Sequence, residues 1–163
     1  MVAYNGLLYT DGHMDDHFKI FVEQLRQGRV EKIEEQILPD FLEVDEEGLV
    51  FHFPVQLTGE AYVAENELVL HWDAETIATI PCSICNEPVE VKIRVSNFYH
   101  SEPLAEIKTG IYHFGSLLRE SILLETPFFV ECKENCPKRE EYSHYLKSSN
   151  QKMGENYNPF ADL

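Results

Sequence analysis

Thr79-Ile80-Pro81-Cys82-Ser83-Ile84-Cys85-Asn86-Glu87-Pro88-Val89-Glu90-Val91-Lys92-Ile93-Arg94-Val95-Ser96 carries two signals at once. Its second half alternates without a break, Val89, Val91, Ile93 and Val95 against Glu90, Lys92, Arg94 and Ser96. A period of two puts the apolar side chains on one face of a strand and the polar ones in water. The first half sets two cysteines in a Cys-x-x-Cys spacing between strand-like flanks, which suits a tight turn that brings both thiolates to one point. Asn86, just after the second cysteine, tolerates the left-handed backbone that such a knuckle needs.

Upstream, Val50-Phe51-His52-Phe53 leads through Pro54 into a second strand, Val55 to Val63. Glu65 and Asn66 make a turn before Leu68-Val69-Leu70-His71-Trp72, with Trp72 expected in the core and His71 on the other face. Asp45-Glu46-Glu47-Gly48 reads as a solvated hairpin turn. From Phe18 to Ile37 two periods compete. Phe18, Ile20 and Val22 alternate like a strand, whereas Val30, Ile33 and Ile37 also fit helical spacing. Gly28 interrupts the stretch, so a strand and an undecided second element are expected, ended by Pro39. Downstream, Pro103 to Gly110 reads as a loop. Phe114, Leu117, Leu118 and Ile122 then fall at helical spacing, and Pro127 stops that helix.

These readings predict an α+β domain: an antiparallel β-meander forming a partly closed sheet, a packing helix near 114–125, and a Cys-ligated metal knuckle. Residues 18–140 form the domain, 1–17 a flexible N-terminal arm, and 141–163 a polar tail ending in a docking segment, Asn158-Pro159-Phe160-Ala161-Asp162-Leu163.

The 163-residue length fits one such domain, and 44% hydrophobic residues with 10 Phe and 8 Tyr exclude wholesale disorder. With 13 Lys+Arg against 29 Asp+Glu, the net charge is −16. A phosphate-gripping surface needs clustered cations, so the acidity argues against unaided nucleic-acid binding and favours a basic partner. The basic residues Lys133, Lys138 and Arg139 sit among Glu131, Glu134, Glu140 and Glu141. The N-terminus has neither the basic nor the apolar region of a signal peptide, and no apolar run approaches the ~18 residues that span a bilayer. A soluble, cytoplasmic protein without membrane contact is expected. In that compartment cysteines stay reduced.

A second pair, Cys132 and Cys136, follows the first after 46 residues. Soft thiolates in a closed tetrahedral set suit zinc, so Cys82, Cys85, Cys132 and Cys136 are expected to share one structural zinc. Two or three of them with a His ligand, or no metal, are the alternatives. A redox dithiol competes, but thioredoxin-type motifs sit where a strand feeds a helix, and here strand flanks both sides. His13 and His17, four apart, could ligate a metal on one helical face; scattered histidines on an acidic arm is the preferred reading. No phosphate loop, nucleophile elbow or His-Glu-x-x-His is present, so no catalytic residue is assigned.

Three pieces stand in order: Cys82-Ser83-Ile84-Cys85, the segment Ser116-Leu117-Leu118-Arg119-Glu120-Ser121-Ile122-Leu123-Leu124-Glu125-Thr126-Pro127, and the Asn158-Pro159-Phe160 ending. Together they resemble the YceD-like family, the large ribosomal RNA subunit accumulation proteins of bacteria and plastids. The resemblance implies a non-enzymatic ribosome-biogenesis factor supporting accumulation or processing of large-subunit ribosomal RNA. Its implied partner is a basic ribosomal protein or a large-subunit precursor particle. Cys82, Cys85 and Cys132 match family cysteine positions, and Cys136 extends the set. Glu120 and Pro127 match the helix motif, as a surface or capping carboxylate and a helix stop. Direct RNA binding through the knuckle, and thiol-based redox chemistry at Cys82 and Cys85, are the competing functions.

Overall fold

The computed structural model describes residues 17–133 and 135–141. The N-terminal arm as far as residue 16, with His13, lies outside these residues. So do Glu134, His144 and the tail with its Asn158–Leu163 segment.

Among the described residues seven strands carry the fold: β1 (Lys19–Phe21), β2 (Val30–Ile37), β3 (Val50–Phe51), β4 (Val55–Ala64), β5 (Glu67–Pro81), β6 (Pro88–Pro103) and β7 (Ile111–His113). Two helices join them, α1 (Val22–Leu25) and α2 (Gly115–Leu124), with a 3-10 turn at Pro39–Leu42. The molecule is thus mostly antiparallel β-sheet with a few short helices. β5 is the central strand: β6 runs along its whole length from Glu67↔Pro103 to Pro81↔Pro88. On the opposite edge, β4 pairs its first part, Glu67 to Glu75, and β3 its later part, Ala78 and Thr79. β2 adds outside β4, from Val30↔Tyr62 to Ile37↔Val55.

The sheet is open, which corrects the expected partial closure. Among the described residues β2 pairs only with β4, and β6 only with β5. The physical reason is that β2 and β6, on opposite sides of β4 and β5, bury their apolar residues against a covering layer rather than by curling round to meet each other. Here one face of the sheet is instead covered by β1, β7, α1, α2 and the 3-10 turn. Leu57, Ala61, Leu68, Leu70, Trp72, Ala74, Ile93 and Val95 from the sheet meet Phe18, Ile20, Val22, Leu25, Leu42, Phe114, Leu118 and Ile122 in one buried cluster. Trp72 is its centre, stacked on Phe98 at 4.5 Å and tilted against Phe114 at 5.7 Å.

The ambiguous stretch resolves into three pieces. β2 is a strand, and its apparent helical spacing is a coincidence of periods. Ile33 and Ile37, four apart, share one strand face and are buried, whereas Val30 faces the other way and is exposed. β7 is unforeseen; it pairs with β1, Ile20↔Tyr112 at the centre. The Asp45–Gly48 turn is not a hairpin, because the strands on either side, β2 and β3, pair with different partners. The helix forms where expected. Arg119 Nε donates to the Leu42 carbonyl at 2.7 Å and ties α2 to the 3-10 turn.

Candidate metal centre

The knuckle is the turn between β5 and β6. The Cys82 N–H donates to the Glu87 carbonyl at 2.8 Å, and the Asn86 N–H donates back to the Cys82 carbonyl at 2.9 Å. Asn86 holds φ at +62°, the left-handed conformation its residue type foreshadowed. The second segment is stitched to the first through Ser83. Its N–H donates to the Val130 carbonyl at 2.7 Å, and its Oγ accepts from the Val130 N–H at 3.1 Å. This two-way clamp holds Val130 beside the knuckle, with Cys132 and Cys136 following it.

The result is a four-cysteine cluster: Sγ of Cys82, Cys85, Cys132 and Cys136 all lie within 4.8 Å of one another. Cys85 Sγ stands 3.8 Å from Cys132 Sγ. A tetrahedral zinc with Zn–S bonds of ~2.3 Å has sulfur–sulfur edges of about 3.8 Å, so the donor set fits the ion in both chemistry and size. All four cysteines are free thiols. Cys82 and Cys136 are buried, whereas Cys85 and Cys132 are partly exposed.

Electrostatics point the same way. Burial opposes the Cys82 thiolate, but N–H groups of Ile84, Cys85 and Cys132, with the Cys85 thiol, overcome it and hold the group at about 6. Burial first, then the crowding thiols of Cys136, Cys85 and Cys82, pushes Cys132 up to about 12. Around Cys85 the Glu87 N–H pulls downward, yet burial and the thiols of Cys82 and Cys136 outweigh it and raise the group. The pocket therefore accommodates one anion readily and resists the next. A central dication removes that resistance, because it turns sulfur crowding into ligation.

Behind the sulfurs lies a carboxylate that sequence reading missed. Glu131 Oε2 accepts from the Cys136 N–H at 2.7 Å, and both of its oxygens take hydrogen bonds from the Arg139 guanidinium. Arg139 above all, with the Cys136 amide, holds the Glu131 carboxyl below its usual range. Arg139 in turn closes the loop, its N–H donating to the Cys136 carbonyl at 2.9 Å. The chain matches no known protein family, no curated protein and no solved structure.

Other sequence candidates lie apart from the cluster. His17 Nδ1 sits 2.9 Å from Glu35 Oε2, at the start of the covering layer. Glu120 is exposed on α2, and Pro127 lies just beyond the helix end. Among the described residues, no helix is long and apolar enough to cross a membrane.

Proposed function

We propose that the chain is a non-enzymatic, zinc-stapled binding protein that supports accumulation or processing of large-subunit ribosomal RNA. The observation that carries the zinc staple is the convergence of four cysteine sulfurs from two distant segments. Four thiolates fill a tetrahedral zinc completely and leave no position for substrate, so the ion's role is structural. Cys82, Cys85, Cys132 and Cys136 are its ligands. The ribosomal setting rests on the order of the knuckle, the α2 motif and the Asn158-Pro159-Phe160 ending, and on nothing in the fold.

The partner that fits is a basic ribosomal protein, alone or within a large-subunit precursor particle. A net charge of −16 favours such a partner by steering and complementary potential. Several cations that a direct RNA grip would use are already engaged. Lys92 and Arg94 both pair with Glu75, and Arg139 pairs with Glu131. Leu124, Phe128 and Phe129 are exposed just before the Ser83–Val130 clamp and supply apolar contact area beside the knuckle.

Two measurements test the proposal. Elemental analysis of protein purified under reducing conditions should find one zinc per chain; its absence ends the staple. Pull-down from cell extract at low salt should recover ribosomal proteins or large-subunit precursors, and recovery of neither ends the partner assignment. Tight binding of structured ribosomal RNA with a steep salt dependence would instead favour the RNA-binding alternative.

A further inference from the structure

The four sulfurs are not equivalent, and their inequality cuts across the two sequence pairs. Each pair contributes one buried cysteine, Cys82 at 0% and Cys136 at 2% exposure, and one partly exposed one, Cys85 and Cys132. The two partly exposed cysteines bring their sulfurs to 3.8 Å from each other, on segments 47 positions apart in the chain. From this we infer that Cys85 and Cys132 are a peroxide-sensitive modification site, and that oxidation joins them in a disulfide across the two segments. The inference rests on the zinc reading, which keeps both sulfurs as thiolates and makes release of the metal the consequence; exposure chooses the pair, and the 3.8 Å separation lets it join.

The Cys85 sulfur, which zinc ligation would keep as a thiolate, attacks an oxygen of hydrogen peroxide and breaks the O–O bond. The sulfur becomes a sulfenic acid, and the hydroxide that leaves takes up a proton to form water. The Cys132 thiolate then attacks that sulfur and forms the S–S bond. It expels a second hydroxide, which is protonated in turn. Two thiolates, one peroxide and two protons thus give one disulfide and two waters, with two electrons passing from the sulfurs to the peroxide. Zinc, left with two of its four ligands, departs as the dication. The sulfurs must approach by about 1.8 Å to reach the ~2.05 Å bond, a movement within reach of side-chain rotation in a turn and a loop.

The pairing matters for what survives. A Cys82–Cys85 or Cys132–Cys136 disulfide would close each segment on itself and leave the two joined only by the Ser83–Val130 hydrogen bonds. A Cys85–Cys132 bond instead keeps the segment after α2 fastened to the knuckle while the metal is lost. Oxidation would then exchange one staple for another, and a reductant with zinc would restore the first.

The experiment uses the full chain as purified with its zinc. Hydrogen peroxide is added in steps, a chromophoric chelator records released zinc, and peptide mass spectrometry without reduction maps the linkages. The expected result is loss of the bound zinc in step with one disulfide, Cys85 to Cys132, reversed by reductant and added zinc. A first disulfide within either sequence pair overturns the inference, as does over-oxidation without any disulfide or survival of all four thiols. Failure of the zinc reading shows separately. Protein that carries no zinc before oxidation refutes the staple, whereas zinc-loaded protein whose first disulfide joins any other two cysteines refutes the choice of Cys85 and Cys132.

Discussion

Glu131 shows how much of the metal centre lies behind its ligands. Its side chain is 12% exposed and joins the amide of one cysteine to the guanidinium that closes the loop. Outer-shell partners of this kind are commonly worth about 10–100-fold in metal affinity. Glu131→Gln should therefore weaken zinc binding by roughly that factor in a chelator competition, with far-UV circular dichroism unchanged. A variant that binds zinc as tightly as the parent would reduce Glu131 to a surface ion pair. Gly59 tells of a different constraint. It faces Trp72 in register, and a Cβ there would come within 2.3 Å of the His71 carbonyl and 2.7 Å of the Trp72 Cβ. Gly59→Ala should cost about 3 kcal/mol or more by chemical denaturation, because neither backbone nor the buried indole can yield. Glu31 lies opposite Ala61 in the β2–β4 ladder, and burial raises its carboxyl above the usual range. A raised native value means that the stabilising contribution is complete below the unfolded pKa and is lost as pH rises through the native one. Glu31→Gln should consequently melt higher than the parent at neutral pH, with the gap closing in acid; parallel melting curves across that range would disprove it.

Among the elements, β6 makes the most of a single extra residue. Between Trp72↔Phe98 and Ala74↔Val95 the partner strand advances by one residue more than β5. The bulge reverses the alternation, so Val95 before it and Phe98 after it both reach the core. Asn97 absorbs the turn at φ +53°, and its N–H donates to Asp73 Oδ1 at 2.7 Å. Asn97→Val should cost ~1–2 kcal/mol, whereas Asn97→Gly should be close to neutral, both read from urea midpoints. Equal losses would show that the backbone conformation is not what Asn97 supplies.

What could be read from the sequence follows the same scale. Strict alternation in Val89–Ser96 and the helical spacing of Phe114–Ile122 each satisfy one period only, so β6 and α2 were legible. Ile33 and Ile37 satisfy two periods; β1 showed in the alternation of Phe18, Ile20 and Val22, whereas β7, of three residues, is too short for any period to show. The four thiolates announced themselves by residue type. Their supporting cast did not, since Ser83, Glu131 and Arg139 look like any other polar residues until the Ser83–Val130 clamp and the Cys136 loop bring them into place. Closure of the sheet lay beyond local pattern altogether, because it depends on whether distant strands meet or a covering layer takes their place.

Across the whole molecule, the cluster and the core are nearly separate. The continuous hydrophobic cluster around Trp72 contains none of the four cysteines. Metal removal should then loosen the knuckle and residues 130–139 while sparing the sheet. Hydrogen exchange on chelator-treated protein should show faster exchange at Ser83 and Cys136 and retained protection across β4 and β5. Uniform loss of protection would mean that the ion holds the entire fold.

The order of pairing along the chain has a further consequence. β2, β4, β5 and β6 lie within residues 30–103 and meet as near neighbours in sequence. A chain emerging from the ribosome N-terminus first can thus pair these strands while Cys132 and Cys136 are still unmade. The metal site is complete only once that last pair has appeared and α2 has crossed the sheet. Metal uptake at this site would therefore be a timekeeper: it would mark the moment at which both cysteine pairs of a nascent chain have been made and brought together.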